Sequence, residues 1–386
     1  MMRKVVLGDV VKINPATKVT KGQLVKFISM DKLDPFTKTP NGYEKKKFSS
    51  GTKFTNGDIL LARITPCLEN GKTAFVDFLD DLEVAAGSTE FVILRNIEGL
   101  TDPAYIYYLS ISPAFRDYAI KSMVGTSGRQ RVQNDVLAKM ELSLPPLDQQ
   151  KKIANILGSL DEKIELNRRM NEALEQLGQA LFRHYFVDNP EANSWDDVKV
   201  GELVDIKGGG TPSTKNSSFW GGDIVWSSPR DLANQKCHFL MRTDKTITKQ
   251  GLSKISSGML PAGTLLLSSR APIGYIAFAG VDMAINQGYI AFLPKAKLSN
   301  YFMYFWLKNN IQKIKDSANG STFLEISKTA FRNIYIKQPN QLLHNKFQYE
   351  SMIILDKIRD NEAEIYNLTS LRDSLLPKLI SGEVIL

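Results

Sequence analysis

The chain has 386 residues, of which 43% are hydrophobic and 23% are charged, and it carries a formal net charge of +8. This length leaves room for two or three domains, and the composition excludes a collagen, a wholly disordered chain and a small disulfide-stapled protein. The two cysteines, Cys67 and Cys237, lie far apart, and Lys or Arg interrupts each longer apolar run before it reaches a membrane-spanning length. With no signal peptide before the first strand-like run, we expect a cytoplasmic protein.

The first part of the chain alternates short strand-like runs with turns. Residues 75–78 and 90–94 are rich in β-branched and aromatic side chains, and Gly, Asn and Asp turns separate such runs from their neighbours. This pattern predicts a mixed α/β globule over residues 1–146.

A long amphipathic helix is predicted next, over residues 148–186. Its apolar residues recur at spacings of three and four, or multiples of these. At 1.5 Å per residue the helix would be about 57 Å long, more than a small globule can cover, so it needs another long helix as its partner. The apolar stripe consists of Ile153, Leu157, Leu160, Ile164, Leu174, Leu177 and Leu181.

The second half of the chain repeats this design. Strand-like runs such as residues 289–293 predict a second globule over residues 188–340. A second amphipathic helix follows over residues 341–376, and Pro377 and Gly382 are expected to end it. Its stripe consists of Phe347, Ile354, Ile358, Leu368, Leu371 and Leu375.

The two helices are copies of one another. Adding 194 to the residue number maps one onto the other without a gap, so that Pro145 corresponds to Pro339 and Asn167 to Asn361. The matches outside the helices need slightly different shifts, which indicates that the globular halves have gained and lost loops. The chain therefore contains an internal duplication.

We predict an α+β fold in which two mixed α/β domains, residues 1–146 and 188–340, are separated by two spacer helices, residues 147–187 and 341–386. The duplication implies a pseudo-two-fold repeat, and the helices are expected to form an antiparallel coiled coil.

Asn167 and Asn361 occupy equivalent seam-like positions in these helices. A polar residue in a seam fixes the register of a coiled coil, although an Asn that faces the surface is equally compatible with the pattern. The residues predicted to pair the helices are Ile153, Leu160, Ile164, Asn167, Leu174, Leu181, Ile354, Ile358, Asn361, Leu368 and Leu375.

The basic excess lies in the globules. Residues 1–147 carry a net charge of +4 and residues 187–340 carry +6, whereas residues 148–186 are neutral and residues 341–386 carry −2. This distribution favours binding of a polyanion by the globules and a neutral scaffold role for the helices.

The residues indicate recognition rather than catalysis. The three histidines form no His-Glu-x-x-His pair, and the adjacent Cys237 and His238 lack the spacing of zinc ligands. Residues 208–213 (GGGTPS) lack the Gly-Lys-Ser/Thr ending of a phosphate-binding loop, which leaves a flexible loop or a loop whose backbone approaches DNA. The sequence also lacks a nucleophile elbow and a complete metal-binding carboxylate motif. We predict no catalytic residue and no metal site in this chain.

Loop residues that can reach phosphates or base edges are the candidate DNA-binding residues. Residues 125–131 are rich in such side chains, and their repeat equivalent, residues 320–323, carries less charge, so the two halves should not read the same sequence. A single exposed lysine is more often a solvated surface charge, whereas arginines beside Gly or Pro loops are stronger candidates. The candidates are Lys45, Lys46, Lys47, Arg63, Lys72, Thr126, Ser127, Arg129, Gln130, Arg131, Asn134, Lys207, Thr211, Ser213, Lys215, Arg230, Arg270, Ser321 and Thr322.

The chain resembles the specificity (S) subunits of Type I restriction-modification systems along essentially its whole length. Its second helix departs from their pattern at residues 340–344, where the Pro-Pro-Leu-Asp-Gln-Gln run of the first helix is absent. The resemblance is carried by residues 7–10 (LGDV) with their copy at 200–203 (VGEL), 144–154 (LPPLDQQKKIA), 160–167 (LDEKIELN), 208–213 (GGGTPS), 219–232 (FWGGDIVWSSPRDL) and 371–383 (LRDSLLPKLISGE).

The resemblance implies two target-recognition domains that each read one half of a split, asymmetric site in double-stranded DNA. It implies that the spacer helices dock two methyltransferase (M) subunits, and that restriction (R) subunits join through the complex. It also implies that this recognition subunit is itself non-catalytic and holds no cofactor, because S-adenosylmethionine, ATP and Mg would belong to the partner subunits.

Two other functions remain open from the sequence. A stand-alone DNA-modifying enzyme would need a carboxylate cluster or an adenosyl-binding strand-loop-helix, and neither is recognisable. A coiled-coil adaptor without a DNA role would not concentrate its basic excess in the globules.

Overall fold

The computed structural model describes residues 2–126, 128–235, 237–294, 296–318, 324–384 and 386. These residues form two compact units. The first unit combines the chain up to Glu165 with Ile365–Leu386, and the second unit is Leu166–Glu364. Each unit therefore contains one globular half of the chain and one end of each long helix.

Small sheets and short helices build the globular part of the first unit. Its elements are β1 (Arg3–Val6), α1 (Leu7–Val10), β2 (Val11–Ile13), β3 (Leu24–Ile28), β4 (Glu44–Lys47), β5 (Thr52–Phe54), β6 (Ile59–Ala62), β7 (Thr73–Phe75), β8 (Ala85–Gly87), β9 (Phe91–Asn96), α2 (Pro103–Ile111), α3 (Pro113–Lys121), β10 (Met123–Val124), β11 (Arg131–Val132), α4 (Asn134–Ala138) and β12 (Glu141–Leu144). One four-stranded sheet has the order β2-β9-β6-β7, and the other has the order β4-β3-β8-β5 with β3 and β8 parallel.

The central strands of the first unit are apolar on both faces, because each face is covered. On β6, Ile59 and Leu61 pack into the core formed with α2, whereas Leu60 between them packs into the core formed with the second sheet. This alternation follows from the two-residue period of a strand, and burial on both sides explains the unbroken apolar run.

The second unit is built from equivalent pieces. The first helix, α5 (Leu147–Phe182), leads into it through a π-helical turn, Arg183–Val187. The other elements are β13 (Asp197–Lys199), α6 (Val200–Leu203), β14 (Ile206–Lys207), β15 (Trp220–Ser227), α7 (Pro229–Asn234), β16 (Phe239–Leu240), β17 (Lys245–Ile247), α8 (Lys249–Leu252), β18 (Leu265–Ser268), β19 (Ile276–Ala279), β20 (Met283–Ile285), β21 (Tyr289–Phe292), α9 (Asn300–Asp316), α10 (Lys328–Arg332), β22 (Tyr335–Lys337) and α11 (Gln341–Ser381).

The sheet topology confirms the internal repeat. The order β14-β21-β18-β19-β16 in the second unit contains the counterpart of β2-β9-β6-β7 in the first, and the parallel pair β15 and β20 matches β3 and β8. In both units a two-stranded antiparallel sheet, β1 with β12 or β13 with β22, joins the start of the globule to its end. In each unit a long helix begins a few residues after the second strand of this sheet.

The second long helix is longer than predicted. The prediction that Pro377 ends it is wrong, since α11 continues to Ser381 and stops where Gly382 adopts a φ of +78°. Leu376 and Leu379 are buried in the core of the first unit, and we infer that this burial outweighs the hydrogen bond that the proline removes. No helix within the described ranges is both long and apolar enough to cross a membrane.

The two long helices run antiparallel in the second unit. Asn167 donates to Glu364 and Asn361 donates to Asn171, both at 2.8 Å, so the partner's number falls as the residue number rises. Asn167 and Asn361 are 0% and 1% exposed, so both side chains lie in the seam between the helices and not on the surface. Buried amides that form hydrogen bonds across the seam favour one register of the two helices.

The residues predicted to pair the helices are shielded from solvent, whereas two leucines of the predicted apolar stripe are exposed. The eleven residues predicted to pair the helices are all buried or partly buried. Leu177 and Leu371, which the periodicity also places in the stripe, are 49% and 45% exposed. These two leucines are equivalent under the 194-residue repeat, so both copies expose the same apolar position.

Candidate nucleic-acid interface

One edge of the first unit brings several candidate residues together. The backbone N–H of Val132 donates to the carbonyl of Arg63 at 2.9 Å, and the N–H of Thr65 donates to the carbonyl of Gln130 at 3.1 Å. The N–H of Arg63 in turn donates to the carbonyl of Glu90 at 2.9 Å. The segment that enters β11 is therefore fixed along the segment that leaves β6.

An ion pair locks this edge. The guanidinium of Arg131 forms a bidentate pair with the carboxylate of Glu90, with Nη2 at 2.6 Å and Nε at 2.9 Å from its oxygens. The hydrogen bonds from Arg131 lower the pKa of the Glu90 carboxyl, and the charge of Arg63 acts in the same direction. Sequence reasoning missed Glu90 because its partner lies 41 positions away.

The loop next to the Arg131–Glu90 ion pair presents exposed side chains. Thr126 and Arg129 are exposed, and within the described residues the guanidinium of Arg129 has no ion-pair partner. Asn134 begins α4, and its side-chain oxygen is buried without a hydrogen-bond partner in the described part of the chain. The candidate Ser127 lies outside the described residues.

The candidate lysines of the first unit lie elsewhere. Lys45, Lys46 and Lys47 are exposed on β4, an edge strand of the other four-stranded sheet, and the ammonium of Lys46 lies 3.3 Å from the centroid of the Phe27 ring. Lys72 donates to the carbonyl of Met30 at 2.9 Å and is only half-exposed, so this lysine anchors a loop.

The glycine-rich loop of the second unit is packed against the chain's own backbone. A Cβ at Gly209 would lie 1.9 Å from the carbonyl oxygen of Ile285, so only glycine fits there. The N–H of Gly210 donates to the same carbonyl at 2.9 Å, and its own carbonyl accepts from the indole of Trp226 at 3.1 Å. The close approach that these glycines permit is therefore to the end of β20.

This loop shares an edge with other candidates of the second unit. The hydroxyl of Thr211 donates to the side chain of Gln287 at 2.6 Å, and Arg270 forms an ion pair with Glu325 at 3.5 Å. Gln287 and Glu325 are further residues that sequence reasoning missed. Arg230 is exposed in α7, whose Pro229 ring would lie 3.1 Å from a Cβ at Gly288.

The remaining candidates of the second unit are peripheral or outside the described residues. Lys207 lies on β14, and Ser213 and Lys215 lie on the loop that follows; all three are exposed. Ser321 and Thr322 are among the residues that the structure does not describe.

The two edges are the same piece of backbone in two copies. The N–H of Ser269 donates to the carbonyl of Gly288, and the N–H of Ile326 donates to the carbonyl of Ser269. These bonds repeat those made by Arg63 with Glu90 and Val132. The 194-residue shift also maps Arg131 onto Glu325, and this alignment is the signal that could have drawn attention to the acidic residue.

His238 joins the globule of the second unit to both helices. Its two ring nitrogens lie 2.9 Å from Glu362 on α11 and 3.1 Å from Glu175 on α5. Glu362 also accepts the backbone N–H groups of His238 and Phe239, and Lys308 forms an ion pair with Glu175. This cluster lies at a cavity of about 660 Å³ and clamps the globule onto the helix pair.

Both carboxylates of this clamp favour the charged imidazole. Burial by itself would lower the pKa of His238, but the hydrogen bonds to Glu175 and Glu362 raise it to about 9. The neighbouring Cys237 is kept as a thiol, because burial raises its pKa to about 12. Within the described ranges, no group of three His, Cys, Asp or Glu side chains is arranged to hold a metal ion.

The clamp should make stability depend on pH in the alkaline range. A folded-state pKa near 9 against an unfolded value near 6.5 contributes on the order of 3 kcal/mol, which is fully present below pH 6.5 and lost as the pH rises through 9. We expect His238→Gln to lower the free energy of unfolding much more at pH 6 than at pH 9.5, as measured by urea denaturation.

His184→Gln, which changes an exposed imidazole, is the matched control and should have little effect at either pH. An equal loss for His238→Gln at the two pH values would mean that the charge of the imidazole does not stabilise the clamp.

Comparisons with known proteins decide the family. The pattern described as "Type I restriction modification DNA specificity domain" matches residues 2–176 and again residues 193–369. The chain belongs to this Type I specificity family. The family pattern thus covers both copies of the repeat, and it supports the resemblance derived from the helices and the glycine-rich loop.

Relatives in this specificity family match most of the chain or nearly half of it. The Type I restriction enzyme HindI specificity subunit of Haemophilus influenzae is 27% identical over 85% of this chain and 86% of its own length. The MjaIX specificity subunit of Methanocaldococcus jannaschii is 35% identical over 44% of this chain and 40% of its own. A crystal structure of a Type I S subunit from M. genitalium has a TM-score of 0.57 at 16% identity, covering 98% and 96% of the two chains, and it supports the fold.

Proposed function

We propose that this chain is the sequence-specific DNA-binding subunit of a Type I restriction-modification complex. Each globular half reads one half of a split, asymmetric site, and the chain itself carries no catalytic group. The names of its relatives and the basic excess of both globules support this proposal.

The observation that carries the proposal is one backbone edge presented twice with different side chains. Where the first unit has Glu90 and Arg131, the second has Gly288 and Glu325. Backbone and phosphate contacts set register, whereas side chains at base edges read sequence. Two copies of one edge with different side chains suit two different half-sites.

We further propose that two M subunits dock on the long helices and that R subunits join through the resulting complex. S-adenosylmethionine, ATP and Mg then belong to those partners. The support is the pair Leu177 and Leu371, which expose the same apolar position on both copies of the helix. A pseudo-symmetric scaffold that repeats an exposed apolar position offers equivalent sites to two copies of one partner.

Methylome sequencing of a host that carries the intact system tests the DNA role. The expected result is a bipartite methyladenine motif, one half per globule. With a duplex of that sequence, Arg129→Ala is expected to weaken binding by the complex about 5- to 150-fold, because an arginine that contacts a base contributes about 1–3 kcal/mol. The discrimination lost should concern only the half-site read by the first unit, as measured by fluorescence anisotropy on half-site variants.

Arg183→Ala removes an exposed arginine outside both edges and should leave the affinity within about twofold. The absence of any bipartite motif would contradict the DNA role, and modification of DNA by the purified chain alone would favour the enzyme alternative.

A further inference from the structure

Each unit carries an Arg–Glu pair on its candidate DNA edge. In the first unit Arg131 on β11 pairs with Glu90 just before β9, and in the second Arg270 after β18 pairs with Glu325. The arginines of the two pairs do not occupy corresponding positions in the two copies of the repeat, since Arg131 corresponds to Glu325. The same kind of pair therefore occupies the same edge in both copies, although it is formed from different positions of the repeat, because Glu90 corresponds to Gly288.

A carboxylate on the candidate DNA edge opposes sequence-independent binding of DNA. Sequence-independent affinity comes from Lys and Arg side chains that contact phosphates and release counterions, and each such contact steepens the salt dependence. An arginine whose donors are directed to a carboxylate in bidentate geometry is held away from phosphate. The carboxylate also repels the phosphates themselves.

The pairs differ in how firmly they hold their arginine. The Arg131 pair is bidentate with a shortest distance of 2.6 Å, and its side chains are 41% and 26% exposed. The Arg270 pair is a single contact of 3.5 Å, and its side chains are 39% and 46% exposed. Arg131 is therefore held more firmly by its carboxylate than Arg270 is.

We propose that Glu90 and Glu325 are positioning residues that suppress sequence-independent DNA binding by holding Arg131 and Arg270 away from phosphates. This inference rests on the proposed DNA-binding function and adds a residue-level source of specificity to it. Binding then depends on the groups that remain free at the edge, such as Arg129, and affinity for non-target DNA stays low.

The experiment compares target and non-target DNA. The full chain, co-purified with the subunits bound to it in its intact system, is titrated into a 30-base-pair duplex of mixed sequence and into the target duplex at several salt concentrations. Glu90→Gln is expected to raise the affinity for mixed-sequence DNA about 3- to 10-fold and to steepen the slope of log K against log salt by about 0.9, one phosphate contact. The ratio of target to non-target affinity should fall.

Two variants separate this mechanism from a simple gain of charge. Asp117→Asn makes the same charge change in an exposed i,i+4 pair on α3 and should leave the ratio within about twofold. Glu90→Gln combined with Arg131→Ala removes the released arginine and should abolish the gain in affinity and slope. In the second unit Glu325→Gln should give a smaller gain, against Asp197→Asn as its control.

The outcomes distinguish the two proposals. A wild-type complex that prefers its target, with Glu90→Gln no different from Asp117→Asn, would overturn this inference and leave the proposed function intact. A gain that persists without Arg131 would also overturn it. A wild-type complex that binds neither duplex would overturn the proposed function itself.

Discussion

Arg372→Met is expected to lower the free energy of unfolding of the first unit by about 3–5 kcal/mol, because it strands a buried carboxylate. Arg372 on α11 is 3% exposed and donates to Asp161 on α5 at 2.7 Å. It also donates to the carbonyl of Phe36 at 3.2 Å. Asp161 is itself buried, and it also accepts a hydrogen bond from the hydroxyl of Tyr108 at 2.8 Å. The arginine thus connects both helices to the globule of the first unit.

Urea denaturation of the full chain measures this loss. Arg359→Met, at an exposed arginine of the same helix, is the matched control and should change stability by less than about 1 kcal/mol. Replacing both partners, Asp161→Leu with Arg372→Met, should recover part of the loss, since the cost comes mainly from the unpaired charge. A single variant as stable as the Arg359 control would show that this pair does not hold the globule to the helices.

Leu177→Glu and Leu371→Glu are each expected to remove one M subunit from the complex, and the double variant both. Each places a charge in the centre of a proposed apolar contact, which costs about 2–4 kcal/mol of binding, or about 30- to 1,000-fold in affinity. Native mass spectrometry of the co-purified complex counts the subunits. Because both leucines are about half exposed, the fold itself should tolerate the change.

Leu166→Glu is the matched control for this experiment. Leu166 is 52% exposed on the same helix as Leu177, but its repeat equivalent is Asp360, so no symmetric apolar position exists there. The control complex should keep two M subunits. If Leu177→Glu and Leu371→Glu also keep two, the partners dock elsewhere.

The long helices and their duplication were predictable because both depend on local periodicity. Spacings of three and four and a constant shift of 194 residues along the helices are visible in one dimension, and so are the apolar strand-like runs of both globules. Contacts between distant residues were not predictable. The Glu90 that holds Arg131 lies 41 positions away, and the Glu175 that binds His238 lies 63 positions away.

The sequence by itself therefore determined the repeat, the fold class, the two spacer helices and the family. Only the tertiary structure decided that Asn167 and Asn361 lie in the seam and that Leu177 and Leu371 are exposed. It also decided that the carboxylate of Glu90 forms an ion pair with Arg131. The physical reason is that periodicity shows that a helix has an apolar face but not how wide a face its partner covers. Likewise, the charge of an arginine is evident from the sequence, whereas its freedom to bind DNA depends on the acid that folding places beside it.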